Sequence, residues 1–109
     1  MSIPGLQDML SQAQAFSEQF TRMREELARR IVEASSGGGM VKVRADGRGR
    51  ILAIEIERQV VDPDEVEMLQ DLITAAVNQA LNAAKEMAAE ASKSLTGGFQ
   101  IPGLDTLFS

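Results

Sequence analysis

Apolar residues recur through the first quarter of the chain in a 3-4 alternation: Leu6, Met9, Ala13, Phe16, Phe20, Met23 and Leu27. This is an a/d heptad seam kept up for about three heptads. It predicts one helix of about 35 Å at 1.5 Å per residue, with Ile3-Pro4-Gly5 as its start signal. The period then changes. Ile31-Val32 is a β-branched run, and Ser35-Ser36-Gly37-Gly38-Gly39 reads as a loop. Val41, Val43 and Ala45 alternate with Lys42, Arg44 and Asp46, and Leu52, Ile54 and Ile56 alternate with Ala53, Glu55 and Glu57. Both are half-buried strands by their two-residue period. A loop at Asp46-Gly47-Arg48-Gly49 pairs Val43 with Leu52 and Val41 with Ile54, which puts both apolar rows on one face and Lys42 and Arg44 near Glu55 on the other.

Asp62-Pro63-Asp64-Glu65 reads as a helix start, with Asp62 as N-cap, Pro63 at the first helical position and Glu65 completing a capping box. From there Leu69, Ile73, Ala76, Ala80, Ala83 and Met87, then Glu90 or Ala91, keep a heptad-like spacing built largely from small residues, which lets a helix approach its neighbour closely. The helix is expected to fray near Ser92–Ser94 and to end at Gly97-Gly98. The order is helix, three short strands, helix: an α+β fold with a small three-stranded antiparallel sheet and two long helices. Residues 1–95 form one domain and 96–109 a flexible C-terminal tail. Ile101-Pro102-Gly103-Leu104 repeats Ile3 to Leu6, a match short enough to be coincidence. A sheet this small covers part of one helix and not two long seams, so the remaining apolar surface is expected to meet another copy. Met23, Leu27, Val41, Val43, Leu52 and Ile54 are the candidate interface residues of that homodimer.

Composition narrows the chemistry. At 109 residues the chain is long enough for one domain, and with no Trp or Tyr its core must be aliphatic, Met and Ala. The absence of Cys and His excludes disulfides, thiolate sites, imidazole catalysis and the commonest zinc ligand. No run is long and apolar enough for a membrane span, and the start lacks a secretory pattern, so the default expectation is cytoplasmic. Gly37-Gly38-Gly39 lacks the Gly-Lys-Ser/Thr that closes a phosphate loop. Gly47-x-Gly49 opens a strand, and Leu52 stands where a dinucleotide fingerprint needs glycine. Asp62, Asp64, Glu65 and Glu67 serve capping and the helix dipole; an EF-hand loop needs glycine where Glu67 stands. Glu55 and Glu57 have no apolar pocket to separate their acidities, and Ser35 and Ser36 have no base. No enzyme, cofactor, metal or small-molecule substrate is expected.

The formal charge is -5, yet nine of the eleven cations fall between Arg22 and Arg58. The acidity comes from the second helix and its flanking residues. Arg22, Arg24, Arg29 and Arg30 lie near the end of the first helix, where cations suit the dipole and pair with Glu18, Glu25 and Glu26. Lys42, Arg44, Arg48 and Arg50 sit on the hairpin, and Arg48 stands at a turn tip. Two readings stand for these residues: a solvated surface, or, doubled in a dimer, a basic zone that neutralises phosphates.

The chain resembles the YbaB/EbfC family of bacterial nucleoid-associated proteins. The resemblance is carried by the opening helix with Gln12-Ala13-Gln14, by Ser36-Gly37-Gly38-Gly39-Met40-Val41-Lys42-Val43, by Gly47 and by Ile54-Glu55-Ile56. Glu67-Met68-Leu69-Gln70-Asp71-Leu72, the Ala-rich run Ile73–Asn82 and a tail with Gly98-Phe99 and Pro102-Gly103 complete it. It implies an α-β-β-β-α protomer, a tweezer-like homodimer and binding of duplex DNA with low sequence specificity, mainly through phosphates, in the nucleoid. Family members carry lysines along the first helix, whereas this chain has no cation before Arg22. The candidate DNA contacts are therefore Arg22, Arg24, Arg29, Arg30, Lys42, Arg44, Arg48 and Arg50. The alternative is a protein-interaction module of DNA repair, recombination or another cytoplasmic assembly, with little intrinsic DNA binding.

Overall fold

The computed structural model describes residues 5–96. Helix α1 (Leu6–Arg29) leads into strands β1 (Ile31–Ser36), β2 (Val41–Asp46) and β3 (Ile51–Ile56), and helix α2 (Val66–Thr96) closes the chain. The strands form one antiparallel sheet in the order β1-β2-β3. This is the expected α-β-β-β-α order. The start signal Ile3-Pro4, Gly97-Gly98 and the tail beyond them lie outside the described residues, and Thr96 is the last residue of α2.

The core lies between α2 and the first two strands. Val41, Val43 and Ala45 of β2 and Val32 of β1 are buried against Ala76, Ala80 and Ala84 of α2, with Leu69, Leu72, Ile73, Val77 and Met87 packed around them. Alanines on the helix present nothing larger than a methyl to hold it off the sheet, so the two backbones close together around the valines. The fit is fixed at one end by Ser36, whose hydroxyl donates to the Leu72 carbonyl at 2.6 Å. Beside it, Gly37 takes a left-handed φ of 61° with the Leu72 side chain pressed against it.

The sheet departs from the expected register by two residues. Val43 pairs with Ile54 and Val41 with Ile56, where Leu52 and Ile54 were the expected partners. Half of the offset comes from the turn: Asp46 and Arg50 close a three-residue loop, Gly47-Arg48-Gly49, through an Asp46 N–H bond to the Arg50 carbonyl at 2.9 Å. Gly49 holds φ 87°, as such a loop requires at its last residue. The other half is a bulge. Arg44 pairs with Ala53 and Ala45 with Ile51, so Leu52 has no partner. Two single-residue shifts restore the parity for Ile54 and Ile56, which lie opposite Val43 and Val41 on one face, whereas Ile51 and not Leu52 takes the place beside Ala45.

Other boundaries also differ from expectation. Ser35 and Ser36 are strand, paired with Lys42 and Val41, because the Ser36 hydroxyl finds its acceptor on α2. The box at Asp62 does not start α2. Its carboxylate accepts from the Asp64 N–H at 2.9 Å in a separate turn, and the first helical bond of α2 runs from Leu69 to the Glu65 carbonyl. Ser92–Ser94 stay helical.

α1 meets little of this core. Every residue from Gly5 to Arg22 is exposed, Met23 is half-buried, and only Leu27 is buried. The seam expected on this helix is open to solvent at Leu6, Met9, Phe16 and Phe20. α2 lies over β1 and β2, so Ile54 and Ile56 of β3 are 44% and 37% exposed although they share a face with buried valines.

The close contact of α2 with the sheet gives a direct test. Ala80→Leu should overpack the interface and destabilise the fold by about 1–3 kcal/mol. Ala75→Leu on the exposed side of α2 should stay within about 0.5 kcal/mol of the parent. Urea titrations monitored by far-UV circular dichroism would measure both, and equal effects would contradict this packing.

Candidate nucleic-acid interface

The cations identified in the sequence fall into three surroundings, and the acids that each group faces distinguish them. Lys42 and Arg44 point away from α2 on the outer face of the sheet. There Glu33 stands opposite Arg44 and Glu55 opposite Lys42. The Arg44 guanidinium lies 3.3 Å from Glu33 and 3.8 Å from Glu55. Exposed pairs of this kind add about 0–1 kcal/mol to stability, but they neutralise the strand. Two carboxylates beside two cations leave little field for a phosphate.

Arg22 and Arg30 lie on a second surface, the flank of α1 that faces the end of α2. A shallow cleft there is lined by Gln19, Arg22, Met23, Glu26 and Arg30 from α1 and its end, and by Glu90, Ala91, Ser94 and Leu95 from α2. Arg30 pairs with Glu26 at 3.1 Å, and Glu90 adds a second acid. This flank is also close to balanced.

The third surface is different. Arg24, Arg29 and Arg48 line one cleft with Phe20, Thr21, Glu25 and Ala28. Arg24 and Arg48 also border a groove floored by Phe20, Met23, Leu27, Leu81, Ala84 and Ala88, where Lys85 of α2 joins them. Four cations thus gather on this side of α1, and among the described residues Glu25 is the one acid lining either cleft. Among the described residues, Arg24, Arg29, Arg48 and Lys85 make no ion pair. Arg50, at the base of the same turn, is exposed and likewise unpaired.

Local backbone chemistry holds Arg48 and Arg50 in place. Asp46 is 6% exposed, and one of its carboxylate oxygens accepts from the Arg48 N–H at 2.9 Å and the Arg50 N–H at 3.0 Å. A buried acid therefore organises the turn that displays the arginines. Gly49 donates its N–H to the Asp46 carbonyl at 3.0 Å and closes the loop.

The family model described as YbaB/EbfC DNA-binding family matches residues 1–99. The chain belongs to that family. A nucleoid-associated protein of Syntrophobacter fumaroxidans is 52% identical over 95 residues, covering 87% of this chain and 86% of the relative. Nucleoid-associated protein TTE0040 of Caldanaerobacter subterraneus subsp. tengcongensis is 52% identical over 99 residues, covering 91% and 89%. Among solved structures, the uncharacterized protein HP0035 from Helicobacter pylori superposes with a TM-score of 0.72 at 23% identity, over 87% of this chain and 97% of that one. At that identity the likeness speaks for the fold.

For a YbaB/EbfC chain, the distribution of charge is the informative feature. Of the eight cations expected at the interface, Arg24, Arg29, Arg48 and Arg50 lie on or beside the unbalanced surface, while Arg22, Arg30, Lys42 and Arg44 face acids. Lys85 was outside the expected set. It lies far from Arg48 in sequence, and only the packing of α2 beside the turn brings the two to one groove. Of the six residues expected at a self-interface, Val41 and Val43 are fully buried beneath α2 and Leu27 beneath the turn. Met23 is half-buried in the groove. Leu52 and Ile54 keep exposed apolar surface, as does Ile56 beside them.

Asp46→Ala should remove the acceptor shared by two backbone N–H groups and destabilise the fold by about 1–3 kcal/mol. Amide hydrogen exchange at Arg48 and Arg50 should accelerate while α2 stays protected. Unchanged exchange at both amides would contradict this role for Asp46 in the turn.

Proposed function

We propose that this chain acts as a homodimeric, nucleoid-associated protein that binds duplex DNA with low sequence specificity, mainly through phosphates. The observation that carries the reading is the surface of Arg24, Arg29, Arg48 and Lys85, where Glu25 is the one acid among the described residues lining the clefts and the nearby Asp46 carboxylate is buried and taken up by the N–H groups of the turn. Arginine and lysine side chains on such a surface neutralise phosphates and release counterions whatever the base sequence. The rest of α2 is acidic, with Glu67, Asp71, Glu86 and Glu90, and repels the duplex from its other faces. The names of the relatives, nucleoid-associated proteins, support the nucleoid as the place of action.

The dimer is inferred from the surface that the protomer leaves uncovered. Leu52, Ile54 and Ile56 on β3, and Met9, Phe16 and Phe20 on α1, are exposed apolar side chains, and exposed apolar surface on this scale marks a site of association. A second copy supplies the same side chains and doubles the cationic surface. A protein-docking module with little DNA affinity would draw on the same uncovered seam of α1, and DNA binding itself separates the two readings.

At low salt, a gel-shift titration with unlabelled duplex should give a complex at micromolar protein, and its absence would sink the DNA-binding reading. The combined Arg24→Ala, Arg29→Ala and Arg48→Ala variant should lower the slope of log affinity against log salt by about 0.9 for each arginine–phosphate pair removed. Lys42→Ala with Arg44→Ala should leave that slope nearly unchanged. Sedimentation equilibrium should give about twice the 11.8 kDa chain mass, and Ile54→Asp with Ile56→Asp should return monomer. A monomeric parent protein would contradict the dimer.

A further inference from the structure

We propose that Gly47 is the positioning residue of the cationic surface, acting as a latch that fixes how α1 leaves the body of the protein. The proposal rests on the phosphate-binding reading of that surface and adds how it is assembled. Arg24 and Arg29 belong to α1, whereas Arg48 belongs to the β2–β3 turn. Their relative placement is therefore set wherever α1 is fastened to the turn.

That fastening is a backbone contact. The last carbonyls of a helix have no partner within it. Here the Gly47 N–H donates to the Leu27 carbonyl at 2.8 Å and to the Arg30 carbonyl at 3.0 Å. The end of α1 is thus capped by the neighbouring residue of the loop that displays Arg48. Besides this contact, α1 is held by Leu27, its one buried residue, by half-buried Met23 beside α2, and by the chain itself, where Arg30 alone separates it from β1.

Contact, and not conformation, requires glycine at this position. A Cβ on Gly47 would lie 2.7 Å from the Leu27 carbonyl oxygen, 3.2 Å from its Cα and 3.0 Å from its Cδ2. Two of those three atoms are backbone, and no rotamer change moves them aside. The turn cannot easily yield either, since the buried Asp46 carboxylate holds the N–H groups of Arg48 and Arg50. A side chain at position 47 must therefore push α1 away and lengthen the capping bonds. The long exposed helix amplifies such a shift: Leu6 lies about 30 Å from Leu27 along the axis, so a 10° tilt moves the tip by about 5 Å.

The chain has no native cysteine, so paired labels report the tilt cleanly. Spin labels at Gln12→Cys on α1 and Gln79→Cys on α2, in protein diluted with excess unlabelled chain, should give one narrow distance distribution by double electron–electron resonance. Adding Gly47→Ala should shift or broaden it by several ångströms. In protein without the labels, the same substitution should weaken duplex binding about tenfold at fixed salt and lower the salt slope by about 1. Gly38→Ala, strained by its φ of 69° but with nothing within 4 Å of the added Cβ, should change neither distance nor affinity, so strain at a loop glycine remote from α1 is not enough. If Gly47→Ala does not fold, Leu27→Ala removes the side chain that rests on the turn and should broaden the same distribution. An unchanged distribution, or a shifted one with parental affinity and slope, overturns the latch. Arg48→Ala with parental affinity and an unmoved distance overturns instead the reading of the surface on which the latch rests.

Discussion

A three-stranded sheet of six-residue strands can cover one helix and no more, and most of this architecture follows from that limit. Each strand is about 20 Å long and the sheet about 10 Å across between its outer strands, close to the footprint of a single α-helix. α2 takes that place, and it does so with Ala76, Ala80 and Ala84, which let it settle onto the valines of β1 and β2. The rest is determined by exclusion. α1 cannot reach the sheet face and projects from it, and β3 is left with Ile54 and Ile56 uncovered beside a closed core.

The same exclusion shapes the electrostatics. A helix fastened only at its end exposes several flanks, and each flank meets different neighbours. One flank of α1 faces the acidic end of α2, and there Arg22 and Arg30 lie among Glu26 and Glu90. The other faces the β2–β3 turn, and there Arg24 and Arg29 meet Arg48, with Lys85 nearby. A chain with a formal charge of -5 thus still presents one locally positive surface. The absence of cations before Arg22 suits this arrangement, since the free end of α1 lies far from the turn.

The order of elements is legible in the sequence because periodicity changes twice along the chain, from a 3-4 alternation to a two-residue one and back. The details that differ depend on atoms distant in sequence. Nothing local announces that Leu52 will be bulged, or that the Ser36 hydroxyl will find the Leu72 carbonyl and draw Ser35 and Ser36 into a strand. A heptad spacing carries the alanine stripe through Ala83. Ala83 packs partly buried at the edge of the core, while Ala84 beside it is buried. The cations of the first helix and the hairpin are visible as a cluster. Their sorting is not, since Glu33 reaches Arg44 through strand register and Glu90 reaches the flank of Arg22 through helix packing. Gly47 reads as turn chemistry, and its close approach to Leu27 emerges only in three dimensions.

The central claim is that DNA meets the side of α1 that faces the β2–β3 turn. Backbone amide NMR of the labelled protein, titrated with a short unlabelled duplex, tests it most directly. Shifts should concentrate at residues 20–29, at 47–50 and around Lys85, with the outer sheet face at Lys42, Arg44 and Glu55 nearly silent. Shifts centred on that sheet face, or along the free end of α1 from Leu6 to Ala15, would contradict it.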